Sequence, residues 1–291
     1  MDQKIIDLYD GLTHGFLSRR QFIDGAAGIV GSVAAAAALL PLLQCNYAMA
    51  ETVSSSDPRL ASERISYDTP RGTSLGYLSR PAAKGKRPAI VVVHQNRGLN
   101  PHIEDVARRF AVEGFLALAL DLLSPFGGTP PSEEEQVALF AKVDRNDPTV
   151  GVATASFLKS HPESTGKVGM VGFCFGGGMV DLVAMNSPEL DAAVSYYGTI
   201  PADKSKVKDI RAPLLLHYAS LDARVNAGIA DWEAALQANN KKYSLHMYEG
   251  VNHAFNDDTA GPRYNKAAAD LAWGRTIAFF KEHLGAPPNA A

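Results

Sequence analysis

One cysteine lies in a stretch whose residue types and spacing could support nucleophilic catalysis. Cys174 stands at the centre of the run GFCFG, residues 172–176, which has the spacing of a nucleophile elbow with cysteine in place of serine. Such a turn reverses the chain sharply from a strand into a helix, so residues without a Cβ are needed on both sides. The N-terminus of that helix favours a thiolate. The alternative interpretation is a buried structural cysteine beside a glycine-rich helix start.

An aspartate and a histidine follow Cys174 in the order that this chemistry requires. Asp222 comes shortly after the apolar run 214–219, and His253 comes shortly after the run 243–248. Alone, Asp222 could be a turn or capping aspartate, and His253 could be a histidine of a surface loop. Because both follow predicted strands, they form with Cys174 a predicted triad in which His253 is the general base and Asp222 orients its imidazole.

The elements that must position these residues alternate between strands and helices. Such alternation is typical of an α/β fold with a mostly parallel central sheet and helices on both faces, in which ligands bind at the carboxyl ends of the strands. The apolar patterns predict strands at residues 65–68, 74–78, 90–93, 115–120, 167–172, 192–197, 214–219 and 243–248. They predict helices near residues 101–111, 132–143, 150–159, 176–185, 230–238 and 273–284.

With these motifs, residues 65–284 resemble the dienelactone hydrolase family, a carboxymethylenebutenolidase-like branch of the α/β-hydrolase superfamily with a cysteine nucleophile. The resemblance rests on the motifs GFCFGG and NHAF, on Asp222 and on the spacing between them. It implies an α/β-hydrolase fold and the hydrolysis of small esters or lactones, in which Cys174 forms a thioester with the acyl group. The backbone N–H groups of Phe175 and Asn96 are the oxyanion hole that the resemblance implies.

Two positions depart from the family pattern. Gln95 stands where the family has a glutamate that helps to ionise the thiol, so a Gln95→Glu substitution is expected to increase the alkylation of Cys174 at neutral pH. Asp257 stands where the family has an arginine that holds the carboxylate of the substrate, which favours a neutral or differently anchored ester. Arg97 and Arg263 are the candidate replacements for that arginine.

The remaining candidate side chains give no case for a metal or an organic cofactor. The histidines other than His253 show no metal-ligand spacing, and the chain lacks the glycine motifs that bind dinucleotides or phosphates. Tyr197, at the end of a predicted strand, is expected either to line the pocket or to belong to the core.

The first fifty residues have the composition of an export signal. The sequence SRRQFI resembles a twin-arginine signal, the run from Gly25 to Ala50 contains no Asp, Glu, Lys, Arg or His, and Ala48-Met49-Ala50 is a small-x-small cleavage site. An uncleaved inner-membrane anchor and a structural helix are the alternatives. We expect a periplasmic or secreted protein, exported by the twin-arginine machinery, with a signal at 1–50, a linker at 51–62, a hydrolase domain at 63–285 and a flexible tail at 286–291.

The composition excludes several other classes of protein. A chain of 291 residues that is 46% hydrophobic and 20% charged is too apolar for intrinsic disorder, and two cysteines are too few for a disulfide scaffold. A net charge of −3 excludes a strongly basic nucleic-acid-binding surface. We expect a small-molecule ester or lactone as partner and a monomer or weak dimer. Two further functions stay open: a non-catalytic or redox-active thiol protein on a hydrolase scaffold, and an acyl transferase.

Overall fold

An eight-stranded sheet forms the centre of the molecule in the computed structural model, which describes residues 1–49 and 51–287. The strands are β1 Leu60–Thr69, β2 Gly72–Pro81, β3 Arg87–Val93, β4 Leu116–Asp121, β5 Ser164–Phe173, β6 Ala192–Tyr196, β7 Leu214–Ala219 and β8 Tyr243–Tyr248. Across the sheet their order is β1-β2-β4-β3-β5-β6-β7-β8. β2 pairs antiparallel with β1 and β4, and the other neighbours are parallel. The predicted α/β architecture is confirmed.

Helices cover both faces of this sheet. The α-helices are α1 Gln3–Thr13, α2 Arg19–Val30, α3 Val33–Leu43, α4 Pro101–Val112, α5 Glu133–Phe140, α6 Thr149–Ser160, α7 Phe175–Asn186, α8 Ala223–Asn226, α9 Ile229–Ala238 and α10 Lys266–Leu284. Successive residues of a strand point to opposite faces, so in β3 Val91 and Val93 belong to one buried cluster while Ile90 and Val92 belong to the other. Residues of α6, α7 and α9 complete the first cluster, and residues of α4 and α10 complete the second.

The first strand is longer than the sequence pattern predicts. β1 begins at Leu60, opposite Pro81, and pairs with β2 along its whole length, ending at Thr69 opposite Gly72. Its first residues therefore overlap the predicted linker 51–62. The cause is its place at the edge of the sheet, where polar side chains are tolerated on the outer side, so residues such as Ser62 and Glu63 hide the alternation on which the prediction depends.

Residues 1–43 fold into three helices with a hydrophobic core of their own. α2 begins at a capping box, in which Ser18 accepts from the backbone N–H of Gln21 and the Gln21 side chain accepts from the N–H of Ser18. We refer to residues 1–49 as the N-terminal unit. Its core is separate from the two clusters of the sheet and consists of Ile5, Ile6, Tyr9, Phe22, Ala26, Ala36, Leu40 and Leu43.

Two features of this region concern the predicted signal. In the described part of the chain no single helix is long and apolar enough to cross a membrane; α2 and α3 meet that test only as a pair, and they are bent by 112° at their junction. Ala50, the last residue of the predicted cleavage motif, lies outside the described residues, as do residues 288–291 of the predicted tail.

Candidate active site

Cys174 lies at the sharp turn between β5 and α7 in a conformation that side chains rarely adopt. Its φ is 56°, which costs a residue other than glycine on the order of 1–3 kcal/mol. A Cβ on Gly172 would lie 2.0 Å from the carbonyl oxygen of Gly176, and a Cβ on Gly176 would lie 2.4 Å from the carbonyl oxygen of Val93. Both glycines are therefore required by the close approach of backbone segments, and the turn has the form of an elbow.

His253 and Asp222 lie beside this turn. His253 Nδ1 donates to Asp222 Oδ2 at 2.5 Å, and Asp222 Oδ1 accepts from the N–H of Val225 at 3.2 Å, which fixes the carboxylate at the start of α8. A ring nitrogen of His253 lies within 4.8 Å of Cys174 Sγ, and Nε2 is buried without a hydrogen bond to any described residue. Because Nδ1 is engaged by Asp222, Nε2 is the nitrogen that is available to the thiol.

The charges around the thiol favour its ionised form. Burial raises the pKa of Cys174, but the neighbouring His253 and His14 imidazoles outweigh it and hold that pKa well below its usual value. Burial lowers the pKa of His253, whereas the Asp222 carboxylate and the Cys174 thiolate raise it to about 10. A thiolate paired with an imidazolium is therefore the favoured state of the site.

A second histidine, which the sequence analysis missed, touches the same sulfur. His14, directly after α1, has Nε2 3.3 Å from Cys174 Sγ, while its Nδ1 lies 2.8 Å from the carbonyl oxygen of Asp10. The rings of His14 and His253 meet edge to face with centroids 5.1 Å apart. The sequence interpretation assigned His14 to an export signal, and no local motif connects it with a cysteine 160 residues away.

The structure brings both predicted oxyanion donors into the wall of one cavity. Phe175 is the first residue of α7, so its N–H has no acceptor within the helix. Asn96 lies in the loop after β3, and both residues line a cavity of about 280 Å³ that also reaches Cys174. The side-chain Nδ2 of Asn96 donates to the carbonyl oxygen of Thr13 at 2.8 Å.

The two positions that depart from the family pattern are partners of each other. Gln95 Nε2 donates to Asp257 Oδ2 at 2.9 Å, and Asp257 Oδ1 accepts from the N–H of Thr259 at 2.9 Å. Asp257 is 2% exposed and does not line the cavities around Cys174. The carboxylate oxygens of Asp257 are therefore engaged within the protein, and the preference for a neutral or differently anchored ester stays a prediction. Gln95 lines a small cavity with Cys174, but its amide is directed at Asp257.

This pairing changes the expected effect of Gln95→Glu. The substitution would place two carboxylates side by side at a buried position, and we expect it to lower the free energy of unfolding by about 1–3 kcal/mol. Because like charges raise the pKa of one partner in the folded state, the loss should be smallest below the ordinary carboxyl pKa and should grow as the pH rises. Urea unfolding at pH 5 and pH 8 measures this difference.

The matched control is Gln237→Glu, at an exposed amide that donates to Tyr243 Oη at 2.8 Å. We expect its unfolding free energy to change little at either pH. If Gln95→Glu lowers the free energy of unfolding equally at both pH values, the predicted repulsion between the introduced carboxylate and Asp257 is wrong.

The other predicted pocket residues lie near the site with different partners. Tyr197 is buried with its ring centroid 4.8 Å from that of His253, and its hydroxyl has no partner among the described residues. Arg97 donates to Glu133 Oε1 at 3.1 Å. Arg263 lies over the ring of Tyr9, 5.1 Å from its centroid.

Among the residues that the structure describes, two groups of side chains have the spacing that a metal ion requires. The donor atoms of His14, Cys174 and His253 lie within 4.8 Å of one another. However, an Arg224 guanidinium nitrogen lies 3.3 Å from His14 Nε2, so a cation already faces that lone pair. The second group is His102, Asp257 and Asp258, whose carboxylates are engaged by Gln95, Thr259 and Arg109. In each group, donor atoms that would have to bind the ion already contact other side chains.

Family models match two separate parts of this chain. Residues 75–284 match the model described as the dienelactone hydrolase family. The chain belongs to the dienelactone hydrolase family. As a member of this family it is an ester or lactone hydrolase. A second model, described as YqhI-like, matches residues 1–31, which include Asp10 and His14.

Relatives and solved structures agree with the family model. A candidate carboxymethylenebutenolidase of Escherichia coli O157:H7 is 32% identical over 226 residues, 72% of this chain and 82% of the relative. A candidate 2-oxo-3-(5-oxofuran-2-ylidene)propanoate lactonase of Bradyrhizobium sp is 30% identical over 77% of this chain and 98% of its own length. The crystal structure of a candidate dienelactone hydrolase of Klebsiella pneumoniae is 27% identical, with a TM-score of 0.67, and covers 77% of this chain and 99% of that one.

Proposed function

We propose that the dienelactone hydrolase-like chain hydrolyses small esters or lactones through a thioester on Cys174. The observation that carries the proposal is the strained elbow, which holds the sulfur between a His253–Asp222 pair and the N-terminus of α7. In this arrangement a nucleophile, a base and an orienting acid meet where two backbone N–H groups can donate hydrogen bonds to a developing oxyanion.

The reaction divides into two transfers that use the same residues. The Cys174 thiolate forms a bond to the carbonyl carbon, and the electron pair that moves to oxygen is stabilised by the N–H groups of Phe175 and Asn96. The pair then returns, the bond to the alcohol oxygen breaks, and the His253 imidazolium protonates the leaving alkoxide. Neutral His253 next removes a proton from water, whose oxygen attacks the thioester and releases the acid and the thiolate.

Mass spectrometry of the acid-quenched protein tests this proposal. After a brief incubation with p-nitrophenyl acetate and a panel of lactones, we expect an added acyl mass that maps to the peptide containing Cys174. A mass increase from oxidation alone would contradict the proposal and support a redox-active thiol. Ester products formed with an added alcohol, in place of free acid, would support an acyl transferase.

The two cysteines give a pH prediction with an internal control. The pKa of Cys174 is well below its usual value, whereas burial and the nearby Asp257 raise the pKa of Cys45. Between pH 8 and pH 6 we therefore expect the iodoacetamide rate of Cys174 to stay nearly constant, while the rate of Cys45 falls about tenfold per pH unit. Peptide mapping measures both rates in one sample. Rates that fall in parallel would show that Cys174 is not ionised by its neighbours.

We also propose that the chain is exported through the twin-arginine pathway to the periplasm or beyond. Arg19 and Arg20 are exposed while the N-terminal unit is folded against the rest of the chain. A receptor can therefore reach both side chains. A double substitution of lysine for Arg19 and Arg20 is expected to retain the protein in the cytoplasm of a bacterial host, as measured by cell fractionation. Retention of export in the double variant would contradict the proposal.

A further inference from the structure

The N-terminal unit is built as a separate body that sits on the candidate active site. Its hydrophobic core contains residues of the unit alone, and of the unit's residues only Cys45, among those described, is a partly buried apolar neighbour of a cluster of the sheet. Many of its contacts with the rest of the chain are polar, and they join residues of the unit to residues around Cys174. Polar contacts of this kind suit surfaces that separate, whereas apolar cores suit permanent association.

The contacts from α1 are directed at the site itself. Asp10 Oδ2 accepts from Arg224 Nε at 2.9 Å, and the same guanidinium lies 3.3 Å from His253 Nδ1. Directly after the helix, at its C-cap, His14 touches Cys174 Sγ at 3.3 Å. Gln3 at the start of α1 donates to Asn252, the neighbour of His253. The helix therefore engages the sulfur and the surroundings of the base together.

The space left for a substrate on this side of the sulfur is small. The cavity between the N-terminal unit, Cys174 and His253 has a volume of about 30 Å³, which is room for about two water molecules. The larger cavity of about 280 Å³, which also reaches Cys174, has His14 and Asn96 in its wall as well. Asn96 is also tied to the carbonyl oxygen of Thr13. The sulfur and the loop that supplies an oxyanion donor are thus both engaged by α1.

We propose that residues 1–49 are an internal inhibitor of the enzyme, in which α1 occupies the substrate side of the thiol and must leave before an ester can be attacked. This inference rests on the proposed function, because it assigns an inhibitor to the same thiol. Asp10 holds the Arg224 guanidinium, and His14 covers the sulfur. Cleavage after Ala50, as expected for an exported protein, would detach every one of these contacts.

Variants of the full chain test the proposal. We expect Asp10→Asn and His14→Ala each to raise kcat/KM for p-nitrophenyl acetate about tenfold, the ratio that a 1.4 kcal/mol loss of docking free energy produces. The alkylation rate of Cys174 should rise in parallel when it is measured at pH 9, where loss of the His14 imidazole no longer limits ionisation of the thiol, and the double variant should exceed both single variants. Asp24→Asn is the matched control, since Asp24 is an exposed aspartate of the same unit that pairs with Arg20 at 3.8 Å. We expect this control to leave both rates unchanged.

A cleavable chain gives an independent measurement. A protease recognition sequence is placed at residues 54–56, which are exposed between the N-terminal unit and β1. The rate is then measured in one sample before the cut and after the released unit has been removed by size exclusion. We expect a low rate before the cut and a rise of at least about tenfold after it.

Each outcome separates this proposal from the function on which it rests. A lower kcat/KM for His14→Ala would mean that His14 assists the reaction, and the inhibitor proposal would be wrong. Equal rates in the wild type, the variants and the cut protein would overturn it as well. A further outcome is that alkylation of Cys174 rises in the variants while no form of the protein hydrolyses an ester or is acylated by one. That result would mean that the unit restricts access to the thiol without inhibiting a hydrolase. In that case the proposed hydrolysis is the claim that fails.

Discussion

Replacing Cys174 with alanine is expected to abolish ester hydrolysis, with kcat reduced on the order of 10⁴-fold or more. The substitution removes the sulfur that the proposed reaction acylates, while the φ of 56° at this position is no harder for alanine than for cysteine. The fold should therefore survive, and circular dichroism with urea unfolding checks that it does. The rate is measured with p-nitrophenyl acetate in the wild-type background and again in the Asp10→Asn background.

Cys45→Ala is the matched control for this substitution. Cys45 is the second cysteine of the chain, and its thiol lies 3.8 Å from Asp257 Oδ2, so its loss tests a thiol that the proposed reaction does not use. We expect the Cys45→Ala protein to keep its acyl adduct on Cys174. Hydrolysis that persists in Cys174→Ala but disappears in Cys45→Ala would reverse the assignment.

The second large effect is expected for Asp222→Asn, which should lower kcat about 10⁴-fold. An amide has no charge with which to stabilise the imidazolium, and its NH₂ group cannot accept from Nδ1, so the ring is held in the wrong tautomer. The pKa of His253, raised in part by Asp222, should fall, and the thiolate should then need a higher pH. The pH profile of Cys174 alkylation measures that shift directly.

The same substitution at Asp203 provides the comparison. Asp203 is an exposed aspartate whose Oδ1 accepts from the N–H of Ser205, a local bond like the one between Asp222 and Val225. Asp203→Asn is expected to leave kcat and the alkylation profile unchanged. An Asp222→Asn protein with full activity would mean that the carboxylate only caps α8.

Sequence reasoning predicted the positions that follow strands better than any other part of the chain. Asp222 was identified because it follows β7, and His253 because it follows β8. Parallel strands bring their carboxyl ends to one edge of a sheet. The elbow was visible because Gly172 and Gly176 stand two residues before and two residues after the cysteine, in a run that follows an apolar strand pattern. These are local patterns whose spatial consequence is dictated by the fold class.

The parts that sequence reasoning could not supply are contacts between distant segments. Gln95 and Asp257 were interpreted as two separate departures from the family pattern. The structure shows that the Gln95 amide donates a hydrogen bond to the Asp257 carboxylate. His14 was missed for a similar reason. It lies ahead of the twin arginines, and an interpretation of residues 1–50 as a signal assigns no contact to any residue before the apolar run.

The position of Cys174 beneath the N-terminal unit also bears on how long the protein can be stored. A low-pKa thiolate is the form of cysteine that peroxides oxidise, and access decides how fast they do so. Cys174 is 4% exposed while His14 lies against its sulfur. Under the proposal of an internal inhibitor, the N-terminal unit protects the reduced thiol while it is docked, and its departure exposes the same sulfur to substrate and to oxidants.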